Sequence, residues 1–280
     1  VIEQPQAPAT PIAVERSGDP QDARPALDER NRRLARAGVA RAEKLLVKHY
    51  RLSSQQEAFD LLRDASQKFN VKLHTLADVA AQLPAPGLDA PGWMPSRPPG
   101  AAPPVPALGA VGAGFDTLGA VLTAALRRTL GITGARMGNV QLVENGMLRM
   151  AKHVGVNRRF SDYFAFVEAS TTSCAQAALD RRQVTVKDVA SSDTFDDGSR
   201  QAILQTGSRA CHSVPLLRPN GTVIGMISSH HGHPLRDLVP AQLTVLQELG
   251  GQVGRWLWWY RTTAVVTALN HLHTRAVSPS

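Results

Sequence analysis

Cysteine is scarce: the 280 residues hold two, Cys174 and Cys211. Two thiols so far apart do not make a disulfide framework, so a stapled secreted scaffold is excluded. Aromatic residues make up 5%. No uninterrupted apolar run reaches the length that spans a bilayer, and no basic start leads into an apolar stretch. The expectation is a soluble cytoplasmic protein without a signal peptide. The chain opens on Val1, which fits a processed start, an alternative start codon or a truncated sequence. No GxSxG, P-loop, HExxH or paired-carboxylate constellation occurs, so the common catalytic motifs are missing and no catalytic residue is assigned. No internal repeat, receiver domain or kinase module is visible.

What is present is apolar content of 43% and a formal charge of +8. Hydrophobic residues on that scale suffice for a core, and a basic balance permits an acidic partner such as RNA or DNA. The excess is spread out. Positions 24–72 hold twelve Lys/Arg against eight Asp/Glu at 22–78, and 115–261 holds sixteen against eleven. Charge therefore permits nucleic-acid binding without identifying it.

Residues 1–25 are rich in Pro, Gln and Ala and lack periodicity, so a disordered tail is expected. The spacing predicts three helices over 26–83. The first is basic and breaks at Tyr50-Arg51-Leu52-Ser53; its early turns are a solvated lead-in or half of a coiled coil. Ser54-Gln-Gln-Glu57 is a capping box that opens the second. Asn70 is expected to cap the third, which Pro84 stops. So small a bundle needs packing from elsewhere.

Residues 84–114 are Pro-rich and expected to be an extended spacer, with Trp93-Met94 an exposed apolar pair. From residue 115 the pattern is mixed. Asp116 is expected to cap a helix that stops at Gly131. Strands follow at 135–143 and 147–154, joined by an Asn145-Gly146 turn of type I′. Short helices are expected at 158–166 and 173–181, strands at 183–189, 208–217 and 222–231, and one long final helix from Pro240. The predicted fold class is α + α/β. A three-helix bundle is joined by the Pro-rich linker to an antiparallel sheet flanked by helices, 115–270, with a tail at 271–280.

Two resemblances rest on particular residues. Ala42, Leu45-Leu46, Glu57-Ala58-Phe59, Leu62-Arg63, Ala65-Ser66, Asn70, Lys72-Leu73 and Asp78-Val79-Ala80 resemble the ANTAR domain, a three-helix RNA-binding module of bacterial transcription antiterminators. GNVQLVENGMLRM, Ser173-Cys174-Ala175, QVTVKDVASSDTF and SRACHSVPLLRPNGTVIGMISSHH resemble a GAF domain. Many relatives place GAF first; here ANTAR leads.

The first resemblance implies RNA stem-loops as partner, usually bound by a dimer. Arg63, Lys68 and Lys72 are the candidate cations, Ser66, Gln67 and Asn70 the polar contacts, and Tyr50 or His74 the stacking groups. The second implies an unidentified small ligand, with Asn139, Gln141, Cys174, His212, Ser213 and Ser228 to His230 as candidate pocket positions. Cys174 at a helix start is either a reactive thiol or a packing thiol. His230-His231-Gly232-His233 reads as an exposed loop end, because neighbours on a strand point apart and cannot share an ion. Trp256, Trp258, Trp259 and Tyr260 read first as a dimer interface, with a contact to the helical bundle or a membrane-surface helix as the alternatives.

Together these imply a signal-responsive regulator of transcription antitermination, not an enzyme, with no cofactor or metal assigned. The alternative is a small-ligand or redox sensor acting through protein contacts, its bundle used for dimerisation. A sulfoxide reductase on a GAF-like fold would need Cys174 and Cys211 suitably arranged.

Overall fold

The computed structural model describes residues 23–93, 100–109, 117–168 and 172–278. Most of the expected tail and Met94 lie outside these. The N-terminal helices are α1 (Ala23–Tyr50), α2 (Gln55–Lys68) and α3 (Leu73–Gln82). Pro25 sits in the first turn of α1, where helix N–H groups have no intrahelical partner and a missing one costs little.

The caps of α2 explain its limits. Ser54 Oγ accepts from Glu57 N at 3.2 Å, while the Glu57 carboxylate accepts from Ser53 N and Oγ at 2.8 Å. At the other end Val71 N reaches Ser66 O at 3.0 Å and Asn70 N reaches Gln67 O at 3.3 Å. This is a Schellman turn with Asn70 in the left-handed position, φ 50°. Asn70 therefore closes α2 instead of capping α3, which starts from the extended backbone of Lys72.

The second region contains α4 (Leu118–Thr133), β1 (Met137–Glu144), β2 (Met147–Val154), α5 (Arg158–Tyr163), β3 (Phe166–Val167), α6 (Ser173–Asp180), β4 (Val184–Val186), α7 (Asp197–Gln205), β5 (Ala210–Leu217) and β6 (Val223–His231). Asp116 lies outside the described residues; Thr117 caps α4, which runs through Gly131 to end at Gly134, φ 69°. The six strands form an antiparallel sheet in the order β3-β2-β1-β6-β5-β4. Asn145 and Gly146 take φ 49° and 76°, the positive pair that a type I′ turn demands. β3 was not expected; two residues are too short for an alternation to register.

The expected final helix is two. It breaks at Thr263 (φ −121°, ψ −77°) into α8 (Pro240–Thr262) and α9 (Ala264–Val277). α8 packs on α4, β5 and β6, whereas α9 packs on α2 and α3. The tail expected from residue 271 is thus helix, with Leu272 and His273 buried. α9 supplies the packing that three short helices lacked. One continuous apolar core runs from Leu46, Leu62 and Leu76 through Leu269, Leu272 and Trp256 to Val121, Val140 and Ile227 of the sheet region.

The described parts of the Pro-rich segment, 84–93 and 100–109, follow these helices closely. Trp93 is buried and its N donates to Asn270 Oδ1 at 2.8 Å. Trp259 Nε1 donates to Gly100 O at 2.7 Å, and Ala107 N to Gln252 Oε1 at 2.8 Å. The contact partners descend from 270 to 252 as the strap ascends, so it runs antiparallel to α9 and then α8. The expectation of an exposed Trp93 is overturned because its ring finds apolar surface on the bundle. No helix among the described residues is long and apolar enough to cross a membrane.

Close approach of α8 to the sheet depends on glycine. A Cβ on Gly254 would stand 2.2 Å from Leu217 O and 2.4 Å from Leu217 N, both backbone atoms. Gly254→Ala is expected to destabilise the fold by about 1–3 kcal/mol, the usual cost of overpacking. A urea titration showing an unchanged midpoint would refute this.

Candidate sensor cavity and its junction with the helical bundle

Strand alternation sorts the candidate ligand residues onto two faces. Asn139 and Gln141 of β1 pair across from Ser228 and Met226 of β6. Their side chains face α5, α6 and α7, where Phe160, Phe164, Phe195 and Cys174 close a cavity of about 20 Å³, room for roughly one water. Ser213 lies on the same side, 2.9 Å from Ser228 Oγ.

His212 and Ser229 lie on the opposite face, a correction to the expectation. They are cross-strand partners. His212 is bonded through Nδ1 to Thr185 Oγ1 at 2.7 Å and through Nε2 to Gln183 Oε1 at 2.9 Å. Gln183 in turn donates to Leu243 O of α8 at 2.8 Å. A list of consecutive strand residues necessarily mixes the two faces, and parity would have separated them.

His230 is the polar centre on the cavity side. Its Nε2 donates to Asn139 Oδ1 at 3.0 Å, Nδ1 meets Ser208 Oγ at 3.2 Å, and Phe160 packs edge-on at 5.0 Å. His230 and His231 are buried in β6, not exposed at a loop end. Burial, with His231 adjacent, lowers the His230 pKa to about 3, and the same causes lower His212 to about 4. Both rings are neutral near pH 7. Gln141 Nε2 donates to Phe164 O at 3.1 Å, while Gln141 Oε1 is buried without a partner. A β-bulge in the β1–β2 register falls between Val140 and Gln141, leaving Ala151 of β2 unpaired.

Cys174 is the second residue of α6. Its Sγ lies 3.1 Å from Ser228 Oγ and 3.7 Å from Ser213 Oγ. Burial raises its pKa despite the surrounding hydroxyls. Burial also pushes Cys211 up to about 12. Both are free thiols, and neither is set up as a thiolate nucleophile. Among the described residues no group of three or more His, Cys, Asp or Glu could hold a metal ion.

β1 carries the cavity residues directly to the helical bundle. Glu144, at its end, is 4% exposed. It bonds His74 Nδ1 at 2.7 Å, Thr75 Oγ1 at 2.8 Å and Arg149 Nη1 at 3.4 Å. Burial would raise its pKa, but these partners outweigh burial and hold it below the usual carboxylate range. One residue on, Asn145 N donates to Asp78 Oδ1 at 2.8 Å. Asp78 is fully buried, and its other oxygen pairs with Arg261 of α8. Arg261 also donates to Val143 O at 2.9 Å; burial lowers its pKa to about 10. The hairpin tip is thus clamped between α3 and α8. Gly38 of α1 lies against it, since an added Cβ would be 2.1 Å from Asn145 Nδ2.

The candidate RNA residues are dispersed in their duties. Arg63 pairs with Asp60 at 2.7 Å, and Ser66 Oγ donates to Val71 O at 2.7 Å. Lys68 lies 3.4 Å from His271, which bonds Asp64 at 3.0 Å. Gln67, Asn70 and Lys72 are exposed. Neither stacking candidate is free. Tyr50 is buried with its hydroxyl 2.9 Å from His273 Nδ1, and His74 is held by Glu144. In the aromatic cluster, Trp256 and Tyr260 stack with one another inside the core. Trp259 holds the strap, and half-exposed Trp258 lies under Arg218, whose guanidinium carbon is 4.5 Å from the ring centroid.

Two predictions test this region. Asp78→Ala should cost about 3–5 kcal/mol by leaving Arg261 buried without its ion pair, whereas Asp78→Ala with Arg261→Met should cost much less. Additive losses in a urea double-mutant cycle would contradict the coupling. For the histidines, folded pKa values below the ordinary 6.5 mean that protonation favours unfolding. Their stabilisation is complete above about pH 6.5 and lost as pH falls, by about 1.4 kcal/mol per pH unit for each ring. Burial lowers the pKa of His231 in the same direction, so stability measured from pH 7 to 5 should fall with a slope of at least two protons, and His212→Asn should remove about one. A flat wild-type profile would exclude the assignment.

Comparison with known families agrees with this arrangement. The ANTAR domain matches residues 25–80 and the GAF domain matches 116–257. Among solved structures, the GAF domain of an Acinetobacter phosphoenolpyruvate-protein phosphotransferase is 13% identical, covering 75% of this chain and 98% of that one, TM-score 0.45. A domain of a Sinorhizobium meliloti two-component sensor histidine kinase protein is 17% identical, covering 51% and 92%, TM-score 0.43. Free methionine-R-sulfoxide reductase from Neisseria meningitidis is 18% identical, covering 51% and 79%, TM-score 0.41. No curated protein matches. With its sheet region matched from end to end and its helical bundle matched ahead of it, the chain belongs to the GAF-domain family and carries an ANTAR domain at its N-terminal side.

Proposed function

We propose that this chain is a cytoplasmic, signal-responsive RNA-binding regulator. Its ANTAR bundle engages paired RNA hairpins to prevent transcription termination, and its GAF cavity takes the signal. The protein works as a homodimer and catalyses no reaction. The observation that carries this reading is that one strand serves both ends. β1 presents Asn139 and Gln141 to the cavity and closes on Glu144, which bonds His74 and Thr75 of the bundle. A ligand that shifts β1 or its hairpin acts on α3 without an intermediary.

The energetic requirement is that the ligand binds two arrangements of the junction unequally. The cavity holds about one water as it stands, so a larger ligand enters only an arrangement in which α5, α6 or α7 has moved from the sheet. α9 adds a second line of control: its His271 meets Lys68 and Asp64 on the outer side of α2.

A second reading has an observation of its own. Arg63 and Lys68, the expected RNA contacts on α2, are engaged within the chain. That favours a ligand sensor acting through protein contacts, with the bundle as the dimerisation element. Fluorescence anisotropy separates the two. A double-hairpin RNA is expected to bind more tightly than a scrambled strand of equal length, and Lys72→Ala to weaken it a few-fold. Equal affinity for hairpin and scrambled RNA would support the second reading.

A further inference from the structure

One face of α1 is turned wholly to solvent. Arg33, Arg36, Arg41, Lys44 and Lys48 of α1 are all exposed, and none has a hydrogen bond or ion pair among the described residues. Arg33, Ala37, Arg41, Lys44 and Lys48 follow at steps of four, four, three and four, with Arg36 beside them. Steps of three and four place them on one helix face. The opposite face, with Gly38, Ala42, Leu46 and Tyr50, is the buried one. From Arg33 to Lys48 the stripe extends about 22 Å at 1.5 Å per residue.

From this we infer that the outer face of α1 is a docking surface for the phosphodiester backbone of RNA, extending the interface beyond the expected α2 residues. The inference rests on the RNA-binding reading above. Charge identifies the occupant. Five unpaired cations in a row attract a polyanion, and each phosphate they neutralise releases a counterion. A second copy of this chain is a poor occupant for the same face. Self-pairing would set five cations against five. Glu29, the fully exposed acid of this helix, is already paired with Arg32 at 3.2 Å, and Asp28 and Glu43 are half-buried, so the helix offers little complementary charge of the kind that selects coiled-coil partners. Leu45 is the large apolar residue exposed on α1, too little for a seam. α2 is by contrast poorly supplied, since Arg63 is neutralised by Asp60 and Lys68 sits beside His271 and Asp64.

The test is the salt dependence of binding. The full chain is titrated against a fluorescein-labelled double-hairpin RNA between 50 and 300 mM KCl. It is compared with the Arg33→Gln/Arg36→Gln/Arg41→Gln/Lys44→Gln variant, whose changes are all on exposed positions. If the quadruple variant melts early, Arg41→Gln/Lys44→Gln replaces it. At 100 mM salt the quadruple variant is expected to bind at least tenfold more weakly. Its slope of log affinity against log salt should be shallower by about three, near 0.7 for each lost single-strand phosphate contact. Wild-type binding with unchanged affinity and slope in the variant would overturn this inference and leave RNA binding standing. Sedimentation of both proteins supplies the rival outcome. A wild-type dimer that becomes monomeric in the variant, with the RNA slope unchanged, assigns the face to a second copy and overturns the inference. Absence of RNA binding by the wild type would remove the RNA reading and this surface together.

Discussion

The structure turns on the clamp around the β1–β2 hairpin tip. Asp78, fully buried on α3, accepts from Asn145 N and pairs with Arg261, which itself reaches Val143 O. A carboxylate and a guanidinium removed from water cost several kcal/mol each unless they meet, and among the described residues neither has another ion-pair partner. Their pairing therefore determines where α3 and α8 sit relative to the sheet. Glu144 extends the clamp by one residue, with three partners from two elements.

With that junction closed, the other long-range contacts fall into place. α8 leaves the sheet at Arg261, breaks at Thr263 and sends α9 into the helical bundle. The bundle thereby gains a fourth helix and a core shared with the sheet region. Residues 84–93 and 100–109 return along both helices, held by Trp93, Gly100 and Ala107. Sensor and bundle are not beads on a flexible tether. A displacement at the cavity wall meets a packed, hydrogen-bonded path to α3, and packed interfaces shift between discrete arrangements more readily than they deform.

Much of this was legible from local chemistry. Ser54 and Glu57 announced the start of α2, Asn145-Gly146 the turn, and alternation the strands at 137–144 and 223–231. Errors arose where one residue serves two neighbouring elements. Asn70 is favourable both as an N-cap and at a left-handed C-terminal position, and backbone hydrogen bonding from Val71 to Ser66 selected the second. Gly131 resembled a helix stop, yet the helix continues to Gly134, where positive φ is required. Of the residues expected at the cavity, Asn139, Gln141, Cys174 and Ser213 lie on one face of the sheet, whereas His212 and Ser229 lie on the other, because adjacent strand residues alternate.

The sequence by itself determined the two modules, their order and most of their elements. Periodicity, caps and turn residues are local, and each acts within a few positions of itself. Only the tertiary structure decided what the polar residues of those modules do. His74 read as a stacking group until α3 met the hairpin, Asp78 carried only a family resemblance until it met Arg261, and Trp93 read as an exposed apolar residue until it met α9. Partners 50 to 200 positions apart leave no periodic trace in the chain. The same closure set Lys68 of α2 beside His271 and left Arg33, Arg36, Arg41, Lys44 and Lys48 of α1 facing water.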